Sequence, residues 1–180
     1  MKSKLLKIAI LGPESTGKTT LAKQLAAHYE AIYIAEYARE YIGNLQRAYT
    51  VKDVLLIAQQ QFLHTRFARQ KGKNLLIADT ELIVTKIWHE YIFKKKCAWI
   101  DEHIAKQDFD LYLLTNVDVK WVADAQREHS EQAQRQEIFE LYETTLKKLA
   151  LPFVVIRGKS YENRLKPVSY THLTLPTIGE

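Results

Sequence analysis

The chain has 180 residues, of which 47% are hydrophobic and 26% charged, the proportions of an ordinary globular domain with one substantial core. Its formal net charge of +5 suits anionic ligands, but apart from Lys94 to Lys96 the basic residues are interleaved with acidic ones, which argues against a nucleic-acid surface. Cys97 is the only cysteine and the six histidines lack metal-ligand spacing, so an internal disulfide and a cysteine-built metal site are excluded. A reducing cytoplasm is the expected setting.

The first predicted element is the apolar run KIAIL. The start MKSKLLKIAIL has the basic-then-apolar look of a signal peptide, but Gly12-Pro13 cuts the run short and leads directly into a polar turn, so it reads as a strand. No run approaches the length of a membrane span, and no membrane partner is expected. The turn, GPESTGKT, meets the spacing GxxxxGK[ST] through Gly12, Gly17, Lys18 and Thr19, with a strand before it and a helix from about Lys18 to Tyr29 after it.

That spacing has a chemical reason. Four residues between two glycines make a loop wide enough to wrap a phosphate, with successive backbone N–H groups turned inward. The helix dipole adds positive potential, Lys18 brings an ammonium to the β and γ phosphates, and the Thr19 hydroxyl can ligate Mg²⁺. The expected nucleotide cradle is Gly12, Pro13, Glu14, Ser15, Thr16, Gly17, Lys18, Thr19 and Thr20, and the expected cofactors are ATP and Mg²⁺.

Further along, AIYIAEYAREYI opens as a second strand ending near Glu36. A long helix follows, opened by a capping-box spacing of Thr50 and Asp53 and carrying Val54, Leu55, Ala58, Phe62 and Ala68 at helical intervals. NLLIADT is a third strand, ELIVTKIWHEY a helix, FDLYLLT a fourth strand, QRQEIFELYETTLKKLA a helix and PFVVI a fifth strand. Strands alternating with helices predict an α/β fold, a five-stranded parallel sheet with helices on both faces.

In such a sheet ligands sit at the carboxyl ends of the strands, which directs attention to Glu36, Asp79 and Thr80, Thr115 and Asn116, and Arg157. Asp79 closes an apolar strand as a metal-orienting acid does, and the alternative is an N-cap for the next helix. Glu36 is a candidate for the acceptor side, and the alternative is a surface ion pair with Arg39 or Arg47. The polar segment DVKWVADAQREHSEQAQRQ offers Arg127 and Arg135 to a helical lid, or else forms a solvated helix pair. Trp88, Trp99 and Trp121 read as packing residues.

The ordered set GPESTGKTTLAKQLA, AEYAREYI, LLIADTELIVTKIW, FDLYLLTNVDVKWVADAQRE, RQEIFELYETTLKKL and SYENRL, from about Lys7 to Leu165, resembles the ribosylnicotinamide kinase domain of bacterial NadR-type proteins. The resemblance implies a P-loop kinase fold and transfer of the ATP γ-phosphate to the ribose hydroxyl of nicotinamide riboside, giving the mononucleotide. It further implies catalytic roles for Lys18, Glu36, Asp79, Arg127 and Arg135, with metal on Thr19 and Asp79 and substrate at Glu36, Tyr37, Arg39, Asp79 and Thr80. Larger members of that family carry an adenylyltransferase domain before the kinase; six residues precede the first strand here, so that second step is not expected of this chain.

Residues Pro167 to Thr177, PVSYTHLTLPT, break the amphipathic pattern that SYENRLK begins and resemble an in-frame translation of a transposon-type sequencing adapter. The expected organisation is therefore a P-loop kinase domain over residues 1–166, its last helix truncated, and a non-native tail over 167–180. A kinase of another nucleoside and a P-loop regulatory ATPase without a small acceptor are the alternative functions. A GTPase is disfavoured because Asn116-Val117-Asp118 lacks the lysine and spacing that read guanine.

Overall fold

The computed structural model describes residues 4–68, 70, 72–119, 132–158 and 164. In chain order its elements are β1 (Leu6–Leu11), α1 (Lys18–His28), β2 (Ile32–Ile34), α2 (Tyr37–Gly43), α3 (Val51–Phe67), β3 (Leu75–Asp79), α4 (Leu82–Phe93), α5 (Ala98–Ile104), β4 (Leu111–Thr115), α6 (Gln132–Lys148) and β5 (Phe153–Ile156). The five predicted strands are all present and all parallel, in the order β2-β3-β1-β4-β5.

Side-chain alternation sorts the sheet into two faces. Ile8, Ile10, Leu75, Ile77, Leu111 and Leu113 meet Leu21, Ala22, Leu25 and Ala26 of α1. Ala9, Leu11, Leu76, Ala78, Tyr112 and Leu114 instead meet Phe62 of α3, Ile83 of α4, Ile100 of α5 and Ile138 and Phe139 of α6. Because both faces are covered, β3 and β4 are buried at every position and β1 at every position after Leu6, which is why these segments read as near-continuous apolar runs. Among the described residues the helical cover is lopsided, with one helix on the first face and four on the second.

The short helix α5 has no counterpart among the predicted elements: AWIDEHI buries only Ile100 and Ile104, too little periodicity to announce a helix. The capping box of α3 is formed as expected, with the Thr50 backbone N–H and hydroxyl both donating to Asp53 Oδ2 at 2.7 Å. Asp53 also receives both Arg47 Nη groups at 2.8 Å and the Tyr41 hydroxyl at 2.7 Å, which fixes the turn between α2 and α3. These donors hold its carboxyl far below the usual carboxylate range.

Sheet order positions the site. The chain leaves β1 for the edge strand β2 on one side, whereas it leaves β3 for β4 on the other, so a crevice opens at the carboxyl ends of β1 and β3. The proposed tail over 167–180 lies outside the described residues.

Candidate active site

The loop between β1 and α1 is shaped by its neighbours. Gly12 sits at φ +142°, and a Cβ there would stand 2.4 Å from Thr115 Oγ1 at the end of β4, so only glycine fits that approach. Ser15 at φ +56° and Gly17 at φ +79° complete the curl that turns the loop back on itself ahead of α1. A relay of hydroxyls ties the loop to β4: Thr16 Oγ1 and Thr115 Oγ1 share a 2.6 Å hydrogen bond, and Thr115 Oγ1 donates to the Leu11 carbonyl at 3.1 Å. Lys18 Nζ donates to the Pro13 carbonyl at 2.8 Å, so its ammonium spans the mouth of the loop. Thr20 faces solvent.

Two carboxylates at the ends of the next strands feel the charge of this ammonium. Glu36 is the N-cap residue of α2, just past the end of β2, and Asp79 is the last residue of β3. Burial raises the Glu36 carboxyl above its ordinary range; Lys18 and Arg39 oppose that rise, and the Asp79 charge adds to it. Asp79, wholly buried, is raised by its burial too, against the pull of the Thr19 hydroxyl bonded to it and of Lys18. The Tyr33 hydroxyl reaches Asp79 Oδ2 at 3.5 Å, and burial next to that charge pushes its pKa up to about 12.

The N-cap role weighed for Asp79 and the Arg47 pairing weighed for Glu36 are taken by other residues, whereas the charge of Arg39 does act on Glu36. The side-chain cap of α4 is Glu81, whose Oε2 accepts the Ile83 N–H at 2.9 Å, and Arg47 belongs to Asp53. Asp79 Oδ1 is buried and accepts no hydrogen bond among the described residues. Together with the Thr19 hydroxyl on the same carboxylate, that orphaned oxygen fits a hard divalent cation such as Mg²⁺, which protein sites commonly hold through one or two carboxylates plus substrate phosphates. Among the described residues no group of three or more His, Cys, Asp or Glu could hold a metal on its own.

Of the other expected residues, Thr80 is buried at φ +74°, a strained conformation for a β-branched side chain, at the turn that presents Asp79. Tyr37 donates its N–H to Gln61 Oε1 at 2.8 Å, and its ring packs edge-on against His64. Arg39 is exposed on α2, its charge reaching Glu36 and Asp79. Arg135 is 1% exposed at the start of α6 and donates through Nη2 to the Ser15 carbonyl at 3.4 Å and the Val119 carbonyl at 3.3 Å. Arg127, with residues 120–131, lies outside the described residues.

Gln61 and Arg164 were not singled out from sequence. Gln61, 2% exposed on α3, accepts from Tyr37 N–H and donates from Nε2 to the Ala35 carbonyl at 3.3 Å and the Thr80 carbonyl at 3.5 Å. It thus holds the backbone on both sides of Glu36 and touches the residue after Asp79. Arg164, 1% exposed, reaches the phosphate loop at the Thr16 carbonyl. The only advance signal for either was position: Gln61 belongs to the inward spacing of Ala58 and Phe62, and Arg164 to the motif SYENRL. A separate cavity of about 460 Å³, lined by Lys7, Phe62, Arg66, Phe67 and Gln107 among others, shares no residue with this constellation.

A glycine-shaped loop heading a helix, on a parallel sheet of order β2-β3-β1-β4-β5 and faced by two strand-end carboxylates, defines a P-loop nucleotide-binding domain. The AAA domain family model matches residues 7–164, and the chain belongs to that family. Over 161 residues it is 27% identical to the trifunctional NAD biosynthesis/regulator protein NadR of Escherichia coli (strain K12), covering 87% of this chain and 39% of that protein. The chain therefore spans about two-fifths of the curated relative's length. Among solved structures it is similar to NadR in complex with NR, with a TM-score of 0.75 and 22% identity, covering 98% of this chain and 53% of that one. It is also similar to NadR in complex with NAD and AMP-PNP, with a TM-score of 0.71 and 23% identity, covering 99% of this chain and 52% of that one. No described helix is long and apolar enough to cross a membrane.

Proposed function

We propose that this chain is an ATP-dependent kinase of nicotinamide riboside, transferring the γ-phosphate of ATP to the ribose hydroxyl and releasing ADP and nicotinamide mononucleotide. The observation that carries the reaction class is the meeting of Glu36 and Asp79, on adjacent strand ends, around the Lys18 ammonium of a phosphate loop. Phosphoryl transfer asks a protein mainly for positioning and charge stabilisation, and those three groups divide the work. The loop from Gly12 to Thr20 cradles the phosphates, and Lys18 neutralises charge growing on the transferring group. Glu36, its carboxyl made more basic than usual by burial, orients the acceptor hydroxyl and takes its proton. Tyr37, Arg39 and Thr80 line the acceptor side.

Thr19 and Asp79 would hold Mg²⁺, which when bound neutralises phosphate charge. Arg127 and Arg135 serve the lid, and residues 1–166 form the working domain, with 167–180 foreign to it. The choice of nicotinamide riboside leans on the likeness to NadR, whose complex with NR aligns with nearly all of this chain. A cytoplasmic setting accords with a single cysteine.

The deciding experiment is ADP release from Mg-ATP with a panel of nucleosides. Nicotinamide riboside should stimulate more than adenosine, uridine or thymidine. Stimulation by one of the others alone would overturn the substrate and keep the kinase. Equal ADP release with and without every nucleoside would replace the kinase by a regulatory ATPase.

A further inference from the structure

We infer that Arg164 is a positioning residue of the phosphate loop, one that sets nucleotide affinity without touching the nucleotide. Its three guanidinium nitrogens bond to the segments that follow three different strands. Nη1 donates to the Thr16 carbonyl at 2.5 Å, Nη2 to Asp118 Oδ1 at 2.6 Å and Nε to the Gly158 carbonyl at 2.7 Å. Asp118 Oδ2 in turn accepts the Gly158 N–H at 2.6 Å, closing a ring of bonds between the ends of β4 and β5. A buried guanidinium is tolerated only when its donors are satisfied and its charge is paired, and here both conditions are met inside the fold.

The consequence for the loop follows from peptide planarity. In a trans peptide the C=O and the following N–H point in opposite directions. A guanidinium that draws the Thr16 carbonyl away from the loop therefore aims the Gly17 N–H into it. Arg135 does the same one residue earlier, at the Ser15 carbonyl and hence the Thr16 N–H, though its bond of 3.4 Å is longer. Consecutive inward N–H groups are what an anion nest consists of. Arg164 thus holds one peptide plane of the nest in its phosphate-ready orientation, and only a planar fork can serve three acceptors spread around it; a lysine ammonium cannot.

This inference rests on the reading that the loop binds nucleotide phosphate, but not on the identity of the acceptor, so binding of Mg-ADP measured by calorimetry without any nucleoside tests it. Arg164→Met and Arg164→Lys should each weaken Mg-ADP at least tenfold. Turnover at saturating ATP, with whichever nucleoside stimulates the wild type, should stay within threefold. Asp118→Asn should reproduce most of the loss, and the double variant with Arg164→Met should be no weaker than Arg164→Met alone, because the two act as one unit. Added methylguanidine should restore part of the affinity of Arg164→Ala, a rescue that a general packing role would not give. Affinity within twofold of wild type in Arg164→Met overturns the inference, as does a parallel fall in nucleotide affinity and saturating turnover. Should Arg164→Met fail to fold, unchanged affinity in Asp118→Asn overturns it instead. A wild type that does not bind Mg-ADP sinks the nucleotide reading itself.

Discussion

The proposed nucleotide half and the proposed acceptor half of the site are held by different means. Around the phosphate loop, the restraint comes from many directions: glycine pressed against β4, the Thr16–Thr115 hydroxyl bond, and buried guanidinium groups on the Ser15 and Thr16 carbonyls. Around Glu36, the edge strand β2 is three residues long, α2 buries none of its own residues, and one amide side chain, Gln61, bonds to both flanking backbones. The loop proposed to cradle the nucleotide is thus over-determined, whereas the part proposed to recognise the acceptor hangs on few contacts. On that proposal, substitutions around Glu36 should alter acceptor choice at little cost to the nucleotide grip.

The largest expected effect separates the halves by charge. Lys18→Ala should lower turnover by about 10³-fold or more, since electrostatic stabilisation dominates phosphoryl transfer, while circular dichroism and melting show an intact fold. Glu36→Gln should lower turnover by about 10²-fold and leave ATP affinity within twofold, because it removes a base without touching the cradle. If Glu36→Gln instead weakened ATP as much as turnover, the division into halves would fail.

A smaller effect sharpens the comparison. Gln61→Leu keeps the volume on α3 but removes all three bonds, and steady-state kinetics should show about a tenfold loss in turnover with ATP binding unchanged. Unchanged kinetics would mean that α2 and the Thr80 turn hold the acceptor side without it.

The smallest effect on catalysis belongs to Glu81, two residues beyond Asp79. Its carboxyl is 1% exposed, bonded through Oε2 to Ile83 N–H and Gln107 Nε2, with Oε1 accepting nothing among the described residues, and burial pushes its pKa up to about 7 from an ordinary 4.5. Between those two values the folded chain keeps a proton that the unfolded chain has released. Stability therefore falls as pH rises through that window and levels off above it. Glu81→Gln, an isostere of the protonated acid, should remove this slope and gain stability above pH 7, by at most about 3 kcal/mol, with turnover little changed. Urea denaturation at pH 5 and pH 8 measures it, and a variant with the wild-type slope would assign the pH dependence elsewhere.

What was legible beforehand follows the same division. The phosphate loop is contiguous, so its spacing carries its chemistry, and Asp79 stands out as an acid closing the apolar run LLIAD. Glu36 was ambiguous because AEYAREY offers several charges, and only burial beside Lys18 and Asp79 distinguishes it. Gln61 is one of three successive glutamines, and helix phase against the sheet decides which of them turns inward. Arg164 could not be weighed from sequence because its partners, Thr16, Asp118 and Gly158, come together only when three strands are adjacent.

The clasp between Thr16 and Thr115 joins residues 99 positions apart. During synthesis the loop's own residues are made first, and the strand that gives Gly12 its wall and Thr16 its partner follows 99 residues after Thr16. β1 has no strand partner until β3 is made, and is flanked on both sides only once β4 follows. A nascent chain therefore carries the phosphate-binding sequence long before it carries the phosphate-binding shape, and loop closures of that span are slow and entropically costly. Nucleotide finds its loop in shape only after β4 has been made and docked, so ligand binding rewards a late step of this domain's folding and gives no help at its beginning.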